Sequence, residues 1–138
     1  MTADPDLVAA LQAALAGEHA AVWASGRAAG ELGSRERTVA LRQLDDHRAA
    51  RDVIRQQLVA LGAVPADAAP AYVEPFPVEG RAGGRRLLAH VATALTATDA
   101  DLAAALPTAG RRAAARAAAA SAVQALDWGA EPEAFPGE

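Results

Sequence analysis

The chain contains no cysteine and no lysine among its 138 residues. Without cysteine, it has neither a disulfide framework nor a thiolate that can serve as a metal ligand or nucleophile. Every basic residue is an arginine, and alanine is the most abundant residue type. This combination indicates a high-GC coding bias rather than an adaptation for binding.

A long uninterrupted apolar run is also missing. The alanine-rich stretch 113–125 is broken by Arg116 and Ser121, whereas a membrane-spanning helix needs roughly 20 apolar residues. The N-terminal residues are acidic and lead directly into an amphipathic pattern, without the basic and apolar regions of a secretion signal. We therefore expect a soluble, cytoplasmic protein with no membrane partner.

The charge of the chain argues against nucleic acid as a partner. The formal net charge is −4, and the arginines alternate with aspartate and glutamate along the sequence. Binding to phosphates requires an accumulation of positive charge on one face. No such face is predicted here.

Apolar residues recur at helical spacing in four segments, which predicts helices at about 5–32, 35–61, 85–105 and 108–128. Asp4 and Pro5 are typical of a helix start, Gly33 and Gly62 of helix ends, and Pro107 separates the last two helices. The length fits a single all-α domain, 1–138. The tail 129–138 is expected to be a coil in which Phe135 can dock.

Residues 63–84 form the predicted connection between the second and third helices. This stretch holds four prolines and three glycines, so a regular helix is excluded. Its extended reach of roughly 70 Å exceeds the roughly 40 Å length of the second helix. We therefore expect a long crossover that leaves the second and third helices parallel, which is the connectivity of a ferritin-like four-helix bundle.

Three ionisable residues occupy inward positions on the first two helices. Steps of three and four place Glu18 on the apolar stripe of the first helix, and His47 and Arg51 between leucines on the second. A buried charge is costly unless it is paired. The simplest expectation is a buried polar cluster in which Glu18 accepts hydrogen bonds from Arg51 and His47 completes the network.

The alternative is that Glu18 and His47 bind a metal ion, because both side chains are suitable ligands. Arg51 opposes this reading, since its positive charge beside the site would repel a cation. We therefore expect no cofactor and no metal, with iron or manganese at Glu18 and His47 as the alternative.

Several segments resemble an actinobacterial ferritin-like domain of unknown function. Together they cover nearly the whole chain, and they are AGEHAAVWA at 16–24, DHRAARD at 46–52, APAYVEPFPV at 69–78 and AFPG at 134–137. The resemblance implies a ferritin-like fold more strongly than it implies an activity.

Metal-binding ferritin-like proteins take one glutamate from each of two helices and a Glu-x-x-His motif from each of the other two. By this resemblance, Glu18 matches one glutamate and His47 one histidine. The other positions depart from the pattern, with Leu44 three residues before His47, Thr98 on the third helix and Gln124 on the fourth. Three further carboxylates lie off the predicted inward stripes and are therefore not expected to reach a metal site: Asp45, Asp46 and Asp99. A complete di-iron site is therefore not expected.

The leading hypothesis is a non-catalytic ferritin-like domain with a structural, regulatory or ligand-binding role. The alternative is a metal-dependent oxidoreductase or iron-binding protein with a reduced site at Glu18 and His47. The last helix is mostly alanine and buries little apolar area by itself. We therefore also expect a homodimer with the third or fourth helix at or near the interface.

Overall fold

The computed structural model of the protein describes residues 2–134, and these residues form four helices and no strands. Phe135, predicted to dock, lies outside the described residues. The helices are α1 (Pro5–Ala29), α2 (Ser34–Ala60), α3 (Gly80–Ala105) and α4 (Thr108–Asp127).

The two ends of α1 are stabilised by side chains nearby in sequence. The Asp4 carboxylate accepts a hydrogen bond from the Asp6 amide at 3.0 Å, and Pro5 occupies the first helical position. At the other end, Arg37 donates to the carbonyls of Ala29 and Leu32, both at 2.9 Å. The Ala29 carbonyl is among those that a helix end leaves without partners, and the Leu32 carbonyl lies in the turn that follows. The α1–α2 turn is therefore held by an arginine that the sequence analysis did not single out.

The third helix begins at Gly80, five residues before its predicted start at about 85. Two glycines near its start, Gly83 and Gly84, suggested irregular structure because glycine lowers helix propensity. In the structure they permit close packing instead. A Cβ on Gly84 would lie 3.2 Å from the Ala28 carbonyl oxygen of α1, and one on Gly83 would lie 3.1 Å from the Val78 backbone. Tertiary packing therefore outweighs local propensity at this point.

The core consists of two apolar clusters at opposite ends of the bundle. One joins the end of α1 to the starts of α2 and α3 and includes Ala28, Leu32, Ala40, Leu87 and Trp128. The other joins the first half of α1 to the ends of α2 and α3 and includes Leu11, Leu15, Ile54, Leu58 and Leu102. The helix α1 packs against α2 and α3, and α3 also packs against α4.

The connecting segment, residues 61–79, lies along α1. Near its start, the Gln12 side-chain amide bonds both to the Val64 carbonyl and to the Ala66 amide, at 2.8 and 2.9 Å. Further along, Trp23 stacks on Tyr72 with ring centroids 5.2 Å apart.

The far end of the connecting segment meets the last turns of α1. Arg27 donates to the Glu74 carboxylate and to the Val78 carbonyl, both at 2.6 Å, and Glu31 accepts from the Gly80 amide at 2.8 Å. The contacts therefore extend from Gln12 of α1 to Glu31 just beyond its end, and they explain how a proline-rich stretch is kept in place.

By length and composition alone, α1 is apolar enough to cross a membrane. Core helices of soluble proteins and signal sequences share this property, so it is weak evidence. The cytoplasmic location and the absence of a membrane partner stay predictions.

Candidate functional site

Glu18 on α1 and His47 on α2 form a hydrogen-bonded pair in the interior. His47 Nδ1 lies 2.7 Å from Glu18 Oε2, and the two side chains are only 12% and 8% exposed. The imidazole Nδ1–H donates and the carboxylate oxygen accepts. Helical phase on both helices had predicted inward positions for these two residues.

Asp99 on α3 and Ser121 on α4 form a second buried pair. The Ser121 hydroxyl donates to Asp99 Oδ2 at 3.2 Å, and both residues are less than a tenth exposed. The four helices thus contribute one polar side chain each, and we call Glu18, His47, Asp99 and Ser121 the central polar cluster.

The two pairs influence one another electrostatically. Burial first, and then the nearby Glu18 carboxylate, raise the pKa of Asp99 to about 6, although the Ser121 hydrogen bond and the proximity of His47 act in the opposite direction. Burial and a neighbouring like charge both disfavour the ionised form. Asp99 is therefore a buried carboxyl group that takes up a proton far more readily than an exposed aspartate.

The central polar cluster lies between the two apolar clusters of the core, because Glu18 follows Leu15 of one and precedes Ala24 of the other. No buried side-chain nitrogen or oxygen in residues 2–134 lacks a hydrogen-bond partner. A satisfied network of this kind avoids the cost of burying polar groups and fixes the relative positions of its members.

Arg51 does not join Glu18, contrary to the expected pairing. Its Nε donates to the Asp52 carboxylate at 3.0 Å, and its side chain is 28% exposed. The long arginine stem allows the charged group to reach the surface, where ionisation costs less than in the interior. Glu18 is bonded to His47 instead.

Asp99 is buried, so the helical phase assigned to it from the sequence was wrong. The predicted stripe on α3 followed the bulky residues Leu88, Val91, Leu95 and Leu102. The buried stripe replaces Val91 by Ala92 and continues through Asp99. Its four-three spacing is as regular as the predicted one. The sequence therefore allowed an alternative stripe through Ala92, which places Asp99 rather than Thr98 in the core.

The donor set does not fit a di-iron centre. In residues 2–134, no three histidine, aspartate or glutamate side chains are grouped closely enough to hold one metal ion. The Glu18 carboxylate is engaged by His47, and the Asp99 carboxylate accepts from Ser121. Among residues 2–134, the buried carboxylates are Glu18 and Asp99, whereas a di-iron centre bridges two cations with four carboxylates.

Two other histidines take part in packing contacts. His19 Nε2 lies 3.1 Å from the Ala66 carbonyl oxygen of the connecting segment. His90, on the outer side of α3, meets Phe76 edge to face with ring centroids 5.7 Å apart. Neither histidine belongs to the central polar cluster.

Comparison with known proteins gives one family and a similar solved structure. Residues 10–138 match the model of the family described as Domain of unknown function (DUF4439). The fold is similar to the crystal structure of a conserved hypothetical protein, rv2844, from Mycobacterium tuberculosis, with a TM-score of 0.85 and 27% identity. The match covers 91% of this chain and 97% of that chain. The search of curated proteins found no match.

Proposed function

We propose that this chain, which belongs to the family described as Domain of unknown function (DUF4439), is a non-catalytic ferritin-like bundle that acts by binding at its surface. The central polar cluster carries this proposal. Ferritin-like proteins hold metal ions between the helices of the bundle core, and the proposal is supported because Glu18 bonds to His47 and Ser121 to Asp99 in the interior of this chain. Their role is to fix the four helices in position.

The ferritin-like connectivity is supported by contacts at the C-terminal end of α1. The start of α2 lies beside the end of α1, because Arg37 donates to the Ala29 carbonyl. The start of α3 lies there too, because Gly84 approaches Ala28. Since the ends of α2 and α3 pack against the first half of α1, these contacts support helices that run antiparallel to α1 and parallel to one another, as a long crossover requires.

Elemental analysis tests the proposal. The protein is purified without chelators after growth in medium supplemented with iron and manganese, and the metal content per chain is measured. We expect clearly substoichiometric iron and manganese, with no change in the Glu18→Gln, His47→Gln double variant. A stoichiometric metal that disappears in the double variant would overturn the proposal.

A second candidate is an iron-binding or manganese-binding protein with a reduced, single-ion site at Glu18 and His47. One observation favours it, since Asp99 lies close enough to Glu18 for the carboxylate charge to raise its pKa. A small rearrangement would then add a third ligand. In the same analysis, this candidate requires one metal per chain and its loss on Asp99→Asn substitution.

A further inference from the structure

A cleft of about 680 Å³ opens at the start of α3, away from the central polar cluster. The end of the connecting segment forms one wall, the first turns of α3 form the floor, and the residues that follow α4 form the other wall. The side chains that characterise it are Phe76, Arg81, Arg85, Arg86, His90 and Trp128. Its volume lies within the range of small-molecule sites, roughly 300–1,000 Å³.

Two guanidinium groups are placed against aromatic rings in this cleft. Arg86 Cζ lies 3.9 Å from the Phe76 ring centroid, and Arg85 Cζ lies 5.5 Å from that of Trp128. Stacking on an aromatic face restricts a guanidinium while leaving its N–H edge available for hydrogen bonds. Arg85 already donates to Glu36 and to the Asp127 carbonyl oxygen, and Trp128 is only 5% exposed. The accessible part of the cleft therefore combines apolar side chains, Phe76 among them, with the positioned donors of Arg86.

The cleft holds more positive than negative charge. Glu36 accepts from Arg81 at 2.6 Å and also from Arg85. These bonds, the one from Arg81 first, lower the pKa of Glu36, so it is ionised at neutral pH. One carboxylate thus faces two arginines, and Arg86 adds a third positive charge. This excess stands out in a chain whose formal net charge is −4.

We infer that the cleft between Phe76, Arg86 and Trp128 binds a small organic anion with a flat aromatic body and a carboxylate group. The planar body packs against the apolar walls, and the carboxylate accepts hydrogen bonds from the edge of Arg86. Charge-assisted bonds of this kind are about twice as strong as neutral ones. The inference rests on the proposed binding role and names the ligand class for it.

Titration with 2-naphthoate, followed by ¹H–¹⁵N NMR of the full chain, tests the inference. The chain contains two tryptophans, Trp128 in the cleft and Trp23 stacked on Tyr72. Each gives one indole N–H signal, and a Trp23→Phe variant assigns the pair. We expect 2-naphthoate to shift the Trp128 signal to saturation and leave that of Trp23 unchanged.

Two matched comparisons separate anion recognition from unspecific apolar binding. The uncharged 2-naphthamide has the same aromatic body and is expected to bind roughly tenfold more weakly. The Arg86→Gln substitution should weaken the binding of 2-naphthoate by a similar factor. Arg55→Gln, the same change at an exposed position of α2, should have no effect. Circular dichroism checks that both variants remain folded.

The inference is overturned if 2-naphthoate leaves Trp128 unshifted, shifts Trp23 equally, or binds wild type and Arg86→Gln with the same affinity. Equal affinity for 2-naphthamide would also overturn it. These outcomes are distinguishable from failure of the proposed function, which is decided by the metal content of the protein without any added ligand.

Discussion

His47 on α2 donates through Nδ1 to Oε2 of Glu18 on α1 over 2.7 Å, and neither side chain is more than 12% exposed. This bond ties together two antiparallel helices at mid-length. Removal of one partner leaves a buried polar group without compensation, whereas removal of both does not.

The Glu18–His47 pair is therefore expected to show strong energetic coupling. His47→Leu should lower the free energy of unfolding by roughly 3 kcal/mol, and the Glu18→Leu, His47→Leu double variant should recover much of this loss. Urea unfolding of the four proteins of the double-mutant cycle measures the coupling. The exposed Asp45–Arg48 pair, at 3.2 Å, is the control and should couple by less than about 1 kcal/mol. Additive losses of unfolding free energy in the Glu18 and His47 variants would contradict a bond between the two side chains.

Replacement of Arg51 should have a small effect. Arg51 forms an ion pair with the neighbouring Asp52, which is 59% exposed. Ion pairs at the surface contribute about 0–1 kcal/mol to stability. Arg51→Ala should therefore change the free energy of unfolding far less than His47→Leu in the same urea experiment. A loss as large as that of His47→Leu would show that Arg51 supports the interior after all.

Asp99 should make the protein less stable as the pH rises. Its folded-state pKa of about 6 lies above the ordinary value of 3.8, so the folded chain binds more protons than the unfolded chain between these values. The stabilising contribution is complete below about pH 4 and is lost as the pH passes through about 6.

Asp99→Asn removes this titration and should raise the free energy of unfolding at pH 7.5 by on the order of 2 kcal/mol relative to wild type. The difference should shrink towards pH 4. Urea unfolding across this range measures it, with Asp101→Asn, an exposed aspartate of the same helix, as the control. A difference that is independent of pH would contradict a raised pKa. Ser121→Ala should raise the Asp99 pKa further, because it removes a hydrogen bond to the carboxylate.

Gly84 should be intolerant of a methyl group. A Cβ there would lie 3.2 Å from the Ala28 carbonyl oxygen and 3.2 Å from the Leu32 side chain, so α3 would have to move away from α1. We expect Gly84→Ala to lower the free energy of unfolding by about 1–3 kcal/mol. Gly30→Ala is the control, since its Cβ would meet only the Arg27 carbonyl oxygen at 3.5 Å. Equal stability of the two variants would show that α1 and α3 are not in close contact.

A homodimer is predicted through α4. This helix leaves Val123 and Leu126 exposed by 55% and 47%, and covering them with a second copy buries apolar area. Sedimentation equilibrium at micromolar concentration should show a mass near twice the 14.0 kDa of the chain. Leu126→Glu should shift it towards the monomer, and Leu41→Glu, on the exposed face of α2, should not. A single species at the chain mass, unchanged by concentration, would contradict the prediction.

Helical periodicity was sufficient to predict four helices and the inward positions of Glu18 and His47, because a 3.6-residue repeat is a local property of the sequence. Proline content predicted an irregular connection of about the right extent. Its contacts with α1 through Gln12, Trp23 and Arg27 were not predicted, since each joins residues about 50 positions apart and depends on the docked geometry.

The partners inside the core depended on tertiary structure. On α3, a stripe through Val91 and one through Ala92 have equally good helical spacing, and only packing against α1 and α4 selects the second, which carries Asp99 inward. On α2, the sequence placed Arg51 facing inward, but its long side chain allows it to pair with Asp52 at the surface. Local periodicity determines which residues can share a helix face, whereas the rotation of each helix within the bundle determines which face is buried.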